Sequence, residues 1–151
     1  QLWGSRRPKF IVLEPKQAAC VTASIAAGRR TTITGDLETV MAGLSCGEVS
    51  ELAWEILATG ANAAVTIDDA LALEGMRRLA NPTAGDPPIV GGECSGGAVG
   101  ALMALSARSV LRARLGLGPN SRVLLMGTEG ATDPEIYRRI VGRDPSVVTA
   151  S

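Results

Sequence analysis

The chain has 151 residues, and its 15 basic and 15 acidic side chains give a formal net charge of zero. This balance argues against general binding to nucleic-acid phosphates or to an anionic membrane surface, which depends on long-range attraction. Histidine is absent, which excludes Ser-His-Asp catalysis, imidazole bases and histidine metal ligands. A hydrophobic content of 46% excludes a wholly disordered chain. We expect neither a membrane span nor a secretory leader.

The cysteines and aromatic residues restrict the chemistry and the core further. Cys20, Cys46 and Cys94 lack metal-ligand spacing, so we expect no zinc site. Their use in a neutral chain suggests a reducing, cytoplasmic compartment. Ordinary small apolar roles are favoured for Cys20 and Cys46, although a disulfide between them stays open. Because only four residues are aromatic, the core must come mainly from Ala, Val, Leu, Ile and Met.

The first 60 residues predict one strand followed by helices. The strand is a short apolar run, and it ends near Pro15 because the residue before a proline disfavours the helical region. Gly28 predicts a helix stop, and Asp36 predicts an N-cap. In chain order we predict a strand at 9–13, a helix at 16–27, an extended segment at 30–33, a helix at 37–44 and a helix at 51–59.

Residues 63–140 repeat the alternation of strand and helix. Asp68 predicts an N-cap for a helix whose apolar residues recur near helical spacing. Pro134 fits the first turn of the last helix. In chain order we predict a strand at 63–67, a helix at 69–79, a short strand at 88–90, a glycine-rich turn at 91–97, a helix at 98–114, a strand at 122–126 and a helix at 134–140.

Strands that alternate with helices predict an α/β fold, specifically part of a parallel sheet with helices on both faces. We expect one unit over residues 1–151 with no internal boundary. Ligands of such sheets bind at the carboxyl ends of the strands. Three glycine-containing segments are therefore candidate sites, namely TVMAGLSCGE (39–48), GGECSGGAVG (91–100) and MGTEGATD (126–133).

The segment at 91–100 has two interpretations. Its glycines let backbone amides approach a ligand, and a helix N-terminus favours an anion, so it suits a phosphate- or nucleotide-binding module. A tight turn without any ligand explains the same glycines, and Ser95 is an ordinary N-cap candidate. Glu93 would repel a phosphate, so it fits an electroneutral ligand group or a hydrogen-bond donor better.

The other two segments are equally open on physical grounds. Thr128 offers a hydroxyl at the end of a predicted strand, but it also fits a helix entry capped by Thr132 or Asp133. Gly43 interrupts a predicted helix, where glycine costs about 1 kcal/mol relative to alanine. A close backbone approach by another molecule would explain Gly43, as would simple crowding within the chain.

Four stretches of the sequence resemble a known enzyme family. They are VLEPKQAAC, GDLETVMAGLSCGEVSELAWEIL, GECSGGAVGAL and LLMGTEGATDPEIY, and together they span nearly all of the chain. Their wording and order resemble the diaminopropionate ammonia-lyases, pyridoxal-phosphate (PLP) enzymes built like the tryptophan synthase β subunit. The resemblance implies the C-terminal part of the large domain of a fold-type II PLP enzyme.

The resemblance also implies an activity and a set of cofactor-binding residues. The family eliminates ammonia from 2,3-diaminopropionate and forms pyruvate, with PLP as the electron sink. Gly43 matches a glycine that lets backbone pass close to the cofactor ring, and Glu93 matches a carboxylate near that ring. Thr128 lies where a neutral hydroxyl meets the pyridine nitrogen, although relatives often carry that hydroxyl at the position of Gly127. Ser95 belongs to the word ECSG, one residue longer than the family's Glu-Ser-Gly.

The same resemblance implies what these residues lack. The family's Schiff-base lysine and phosphate loop precede the matching stretches, and neither Lys9 nor Lys16 has the Schiff-base context. We therefore expect no catalytic residue and no metal ligand here, with a small amino acid as the substrate of the complete enzyme. Because a cut sheet exposes an edge and an apolar face, we expect a homodimer or association with the N-terminal part. The alternative is an inactive α/β fragment or stand-alone remnant.

Overall fold

A computed structural model describes residues 4–83 and 85–149. Short 3₁₀ turns at Gly4–Arg6, Lys16–Ala18 and Ala42–Leu44 accompany the main elements. These elements are β1 (Ile11–Pro15), α1 (Cys20–Ala27), α2 (Glu51–Gly60), β2 (Ala63–Ile67), α3 (Asp69–Ala80), α4 (Glu93–Ala107), α5 (Ser109–Leu115), α6 (Pro134–Val141) and α7 (Pro145–Thr149).

The two strands form a parallel pair, which confirms the predicted α/β class. Ile11 lies opposite Ala63, and Pro15 lies opposite Ile67. The strand predicted at 63–67 is confirmed, whereas β1 continues past the predicted end at residue 13. It continues because the Glu14 carboxylate is buried and accepts hydrogen bonds from the backbone N–H groups of the first turn of α1. A charged residue can extend a buried strand when its charge is satisfied in this way.

The hydrophobic core is aliphatic, as the composition predicts, with one exception. One cluster contains Met41, Ile67, Ala72 and Ala101. A second cluster lies between α3, α6 and α7 and contains Met76, Ala80, Tyr137 and Val148. Tyr137 is the one aromatic side chain in either cluster of the described residues, and it is 1% exposed.

Helices α3 and α4 approach each other so closely that their contact requires glycine. A Cβ atom on Gly75 would collide with the carbonyl oxygen of Gly96, and one on Gly100 would collide with the carbonyl oxygen of Leu71. Gly96 and Gly100 lie four residues apart and so occupy one face of α4. The predicted turn at 91–97 and helix start at Ala98 are therefore wrong: α4 begins at Glu93, and its glycines serve helix packing.

The helix predicted at 37–44 is also wrong, since only Ala42–Leu44 forms a 3₁₀ turn there. The carboxylate of Asp69, at the start of α3, accepts hydrogen bonds from the Thr39 hydroxyl at 2.6 Å and from the Val40 N–H at 3.0 Å. Because Asp69 accepts from the Thr39 hydroxyl and the Val40 N–H, these groups have hydrogen-bond partners without forming a helix.

Three predicted extended segments do not form strands. Residues 30–33, 88–90 and 122–126 pair with neither strand of the described sheet. The Ile33 N–H donates to Gly47 O and the Ile89 N–H donates to Leu79 O, so their backbones bond to loop and helix groups. Residues 122–126 are exposed along their whole length, and Leu124 is 80% exposed. An apolar run becomes a strand only where a neighbouring strand is present.

Two helix boundaries differ from the predictions, and two agree. Asp68 stands at the N-cap position of α3, but its carboxylate pairs with Lys16 at 2.7 Å and does not cap the helix. The helix predicted at 98–114 breaks at Arg108, where α4 and α5 meet at a bend of 109°. The stop at Gly28 and the proline in the first turn of α6 are both confirmed.

In the part of the chain that the structure describes, no single helix has the length and apolar composition needed to cross a membrane. Helices α4 and α5 meet those requirements only when they are counted together.

Candidate functional site

The first turn of α4 is capped by a residue that is remote in sequence. Gly92 stands at the N-cap position and has no side chain to accept a hydrogen bond. The carboxylate of Glu129 takes this role, since its Oε2 accepts from the Cys94 N–H at 2.9 Å. A negative charge at this position also complements the helix dipole.

The loop at 127–130 rests on the same turn of α4. The Ser95 hydroxyl donates to the Glu129 carbonyl oxygen at 2.9 Å, and the Gly92 N–H donates to the same oxygen at 3.0 Å. A Cβ atom on Gly127 would lie 3.0 Å from the Ser95 Oγ. Ser95, which is 6% exposed, therefore lies directly against Gly127, so two of the sequence candidates meet.

Gly43 reaches the same region from the 3₁₀ turn at Ala42–Leu44. A Cβ atom there would lie 3.5 Å from the Cys94 Sγ, which is ordinary van der Waals contact. Its φ angle is not positive, so neither crowding nor backbone conformation within the described chain requires glycine. Crowding within the described chain therefore does not explain the glycine at this position.

Glu93 and Thr128 provide polar groups that the described chain does not use. Glu93 is the first residue of α4 and is half-buried, and Thr128 is exposed in the loop beside Gly127. Among residues 4–83 and 85–149, neither side chain makes a hydrogen bond or an ion pair. The structure thus places the five sequence candidates around one end of α4, with two free polar side chains among them.

The cysteines near and away from this cluster are free thiols. Burial, reinforced by a hydrogen bond to Glu129, raises the pKa of the Cys94 thiol to about 11. At neutral pH that thiol is protonated and is not a nucleophile. Burial also raises the pKa of Cys20, and Cys46 is exposed.

Glu129 is the residue of this cluster that the sequence analysis missed. The local sequence GTEG (127–130) contains nothing that distinguishes a capping glutamate from a solvent-exposed one. One signal was available: a helix that begins directly after Gly91-Gly92 has no local side chain at its N-cap, so a remote acceptor must supply the cap. Which residue supplies it depends on the tertiary fold.

Both lysines of the chain are engaged elsewhere. The Lys9 Nζ donates to the Leu115 carbonyl oxygen at the end of α5, at 2.9 Å. The Lys16 Nζ pairs with Asp68 beyond the carboxyl ends of the two strands. Neither ammonium group lies at the first turn of α4, so this cluster contains no amine that can form an imine.

Comparison with known proteins bears on what this cluster binds. The family model described as pyridoxal-phosphate dependent enzyme matches residues 1–129. The chain belongs to this family. Within the pyridoxal-phosphate dependent enzymes, the diaminopropionate ammonia-lyase of Escherichia coli (strain K12) is 40% identical to it over 134 residues, which is 87% of the chain and 34% of that enzyme.

Two further relatives agree with this membership. The diaminopropionate ammonia-lyase of Salmonella typhimurium is 41% identical over 140 residues, covering 89% of the chain and 35% of that enzyme. The selenomethionine holo structure of the E. coli diaminopropionate ammonia-lyase superposes with a TM-score of 0.84 at 36% identity, covering 93% of this chain and 35% of that one. The chain spans about a third of the length of the curated relatives it matches.

Proposed function

We propose that residues 1–151 are the C-terminal part of the large domain of a PLP-dependent ammonia-lyase, without an internal boundary. The complete enzyme would convert 2,3-diaminopropionate to pyruvate and ammonia. The observation that carries the proposal is the convergence of the residues named from the sequence around the first turn of α4. These residues are Gly43, Glu93, Ser95, Gly127 and Thr128.

The residues around α4 fit a flat cofactor ring. Neither packing nor backbone conformation requires glycine at position 43. The missing Cβ leaves the backbone there accessible to a closely bound cofactor ring. Gly127 leaves the same kind of space beside Ser95. PLP supplies, when bound, the electron sink that stabilises negative charge at the α-carbon of an amino acid.

The hydroxyl groups of Ser95 and Thr128 differ in what they can offer a ligand, because only the first is already hydrogen-bonded within the described part of the chain. The proton of the Ser95 hydroxyl is held by the Glu129 carbonyl oxygen, so Ser95 offers only lone pairs to a ligand. Thr128 has an exposed hydroxyl whose proton is free, so it is the better donor to an unprotonated pyridine nitrogen. A neutral donor at that nitrogen would leave it without a full positive charge, which would moderate the electron sink and suit elimination over transamination.

The remaining parts of the proposed enzyme come from outside these residues. Because Lys9 and Lys16 are both engaged away from α4, we propose that the N-terminal part supplies the Schiff-base lysine and the phosphate loop. This part associates with the chain, and a homodimer is the other arrangement proposed. A cytoplasmic location is proposed as well, supported by free thiols at all three cysteines.

The experiment that tests the proposal starts from protein purified natively from its source. We expect an intact polypeptide or a complex well above 15.5 kDa, a visible absorbance band of lysine-bound PLP, and release of pyruvate and ammonia from 2,3-diaminopropionate. Alanine, which has no β leaving group, serves as the control substrate. A lone 15.5 kDa species without that band, and without pyruvate release, would instead support an inactive fragment.

A pair of threonine variants tests the role of the hydroxyl in the active enzyme. Thr128→Val keeps the shape and removes the donor, so kcat should fall at least about tenfold. Thr128→Ser should restore most of the activity. Thr132→Val, a few residues along the same loop, is the matched control and should leave kcat near the wild-type value. Equal losses in the two valine variants would refute the assignment of Thr128.

A further inference from the structure

Glu129 makes the contacts that join the 127–130 loop to α4. Its carbonyl oxygen accepts from the Ser95 hydroxyl and the Gly92 N–H, and its Oε2 accepts from the Cys94 N–H. A Cβ atom on Gly92 would lie 2.7 Å from the Cγ of Glu129. The absence of a side chain at Gly92 therefore both creates the need for a remote cap and admits the side chain that meets it.

The thiol of Cys94 extends this contact toward Gly43. The Glu129 carboxylate is, after burial, among the causes that raise the pKa of this thiol. The Cys94 Sγ also lies beneath Gly43. The Glu129 carboxylate thus contacts Cys94, next to the glycine on one side of the cluster. The backbone carbonyl oxygen of Glu129 holds Ser95, which lies against Gly127 on the other side.

We propose that Glu129 is the positioning residue of the cofactor site: it fixes Ser95, Gly127 and Thr128 relative to Gly43, so that a neutral hydroxyl and not a carboxylate faces the pyridine nitrogen. This inference rests on the proposed function of the cluster. The Glu129 carboxylate accepts from the Cys94 N–H, which keeps its charge at the helix terminus. Glu129 would act through Cys94 and Ser95, so its proposed role is positioning and not catalysis.

The first test needs no cofactor and uses the whole 151-residue chain. In Glu129→Gln the side-chain oxygen can still accept from the Cys94 N–H, but the negative charge beside the thiol is lost. The pKa of Cys94 should fall, so its alkylation by iodoacetamide at pH 8 should accelerate at least about threefold, given a tenfold change per pKa unit. Peptide mass spectrometry separates Cys94 from Cys20 and Cys46, whose rates should not change.

Two controls keep this test decisive. Glu55→Gln removes an exposed glutamate on α2 and should leave the Cys94 rate unchanged. The wild-type chain tests the contact without a substitution. The alkylation rate of its Cys94 should keep rising as the pH approaches about 11. Exposed Cys46 should be alkylated far faster than Cys94 at pH 8. An unchanged Cys94 rate in Glu129→Gln, or rapid wild-type alkylation of Cys94 at pH 8, would overturn the inference.

The second test uses the PLP-loaded protein purified from its source. Glu129→Ala, which removes the acceptor of the Cys94 N–H, should raise the Kd for PLP about tenfold, as expected for loss of a charged hydrogen-bonding group, and should shift the emission of bound PLP. Glu129→Asp should behave like Glu129→Ala, because its shorter side chain does not reach the helix, whereas Glu129→Gln keeps the acceptor and should stay closer to the wild-type protein. An unchanged Kd and emission in Glu129→Ala would overturn the positioning role. If the wild-type protein binds no PLP, the proposed function fails, whereas the alkylation test still decides the contact between Glu129 and Cys94.

Discussion

Tyr137 has a buried hydroxyl without a hydrogen-bond partner among the described residues. It packs between Met76, Ala80 and Val148 in the second core cluster, and burial raises its pKa. An unpaired buried hydroxyl costs about 1–3 kcal/mol of desolvation. Tyr137→Phe should therefore raise the free energy of unfolding by about 1 kcal/mol, measured by urea denaturation.

A second buried hydroxyl provides the control for Tyr137. Ser24 is fully buried, and its Oγ donates to the Cys20 carbonyl oxygen at 2.7 Å and accepts from the Thr31 N–H at 2.9 Å. Ser24→Ala should lower the free energy of unfolding by about 1–3 kcal/mol, because it leaves these groups unpaired. A loss of the same size in Tyr137→Phe would mean that the tyrosine hydroxyl is in fact bonded.

For single residues, the sequence predicts some structural roles and not others. Gly28 and Pro134 are predictable because their effects come from their own backbone geometry. Asp68 is not, because a carboxylate next to a helix start can cap the helix or pair with a cation, and Lys16 arrives from a distant part of the chain. The local sequence is compatible with more than one partner for the Asp68 carboxylate. The tertiary fold determines which partner it contacts.

At the scale of elements, the contact between α3 and α4 determines the sequence of α4. Gly100→Ala would place a methyl group against the backbone of α3 at Leu71, which cannot move as a flexible side chain can. Overpacking of this kind costs 1–3 kcal/mol and sometimes more. We therefore expect a loss of about 3 kcal/mol in the free energy of unfolding, measured by denaturant titration.

Gly118→Ala is the matched control for the helix contact. Nothing lies within 4 Å of a Cβ atom built there, and its φ angle is not positive. Its free energy of unfolding should stay within about 0.5 kcal/mol of the wild-type value. If both alanine variants behaved alike, α3 and α4 would not be in glycine-mediated contact, and the glycines of 91–100 would need another explanation.

The glycines of α4 also show why that helix was predicted to start too late. Glycine has a low helix propensity and is common in turns, so GGECSGG predicts a turn when only local preference is considered. Packing against α3 overrides this preference, since a close helix contact excludes any side chain at Gly96 and Gly100. The correct boundary follows from the partner helix, which the local pattern does not reveal.

At the scale of the whole molecule, the four most exposed large apolar side chains of the described residues lie in two places. Leu52 and Ile56 lie one turn apart on α2 and are 76% and 72% exposed, and Leu124 and Met126 are 80% and 72% exposed. Side chains of this kind, when they are contiguous, mark surfaces that are covered in an assembly. We expect sedimentation of the chain at micromolar concentration to give a mass above 15.5 kDa.

Variants on the exposed surface test the origin of this association. Leu124→Ser combined with Met126→Ser should lower the associated fraction, because less apolar area is removed from water in the assembly. Asp86→Asn, an exposed polar change in the loop after α3, should have no effect. A monodisperse 15.5 kDa species of the wild-type chain over the whole concentration range would contradict the prediction.

The sequence alone was sufficient for the α/β class, the strand at 63–67, the aliphatic core and the stretches typical of the family. These properties follow from local propensity, spacing and composition, which each short segment carries within itself. The three-dimensional contacts were needed for the non-helical segment at 39–40, held by Asp69, for the true start of α4, and for the cap that Glu129 provides. Each depends on residues about 30 positions apart, so no local pattern contains the information.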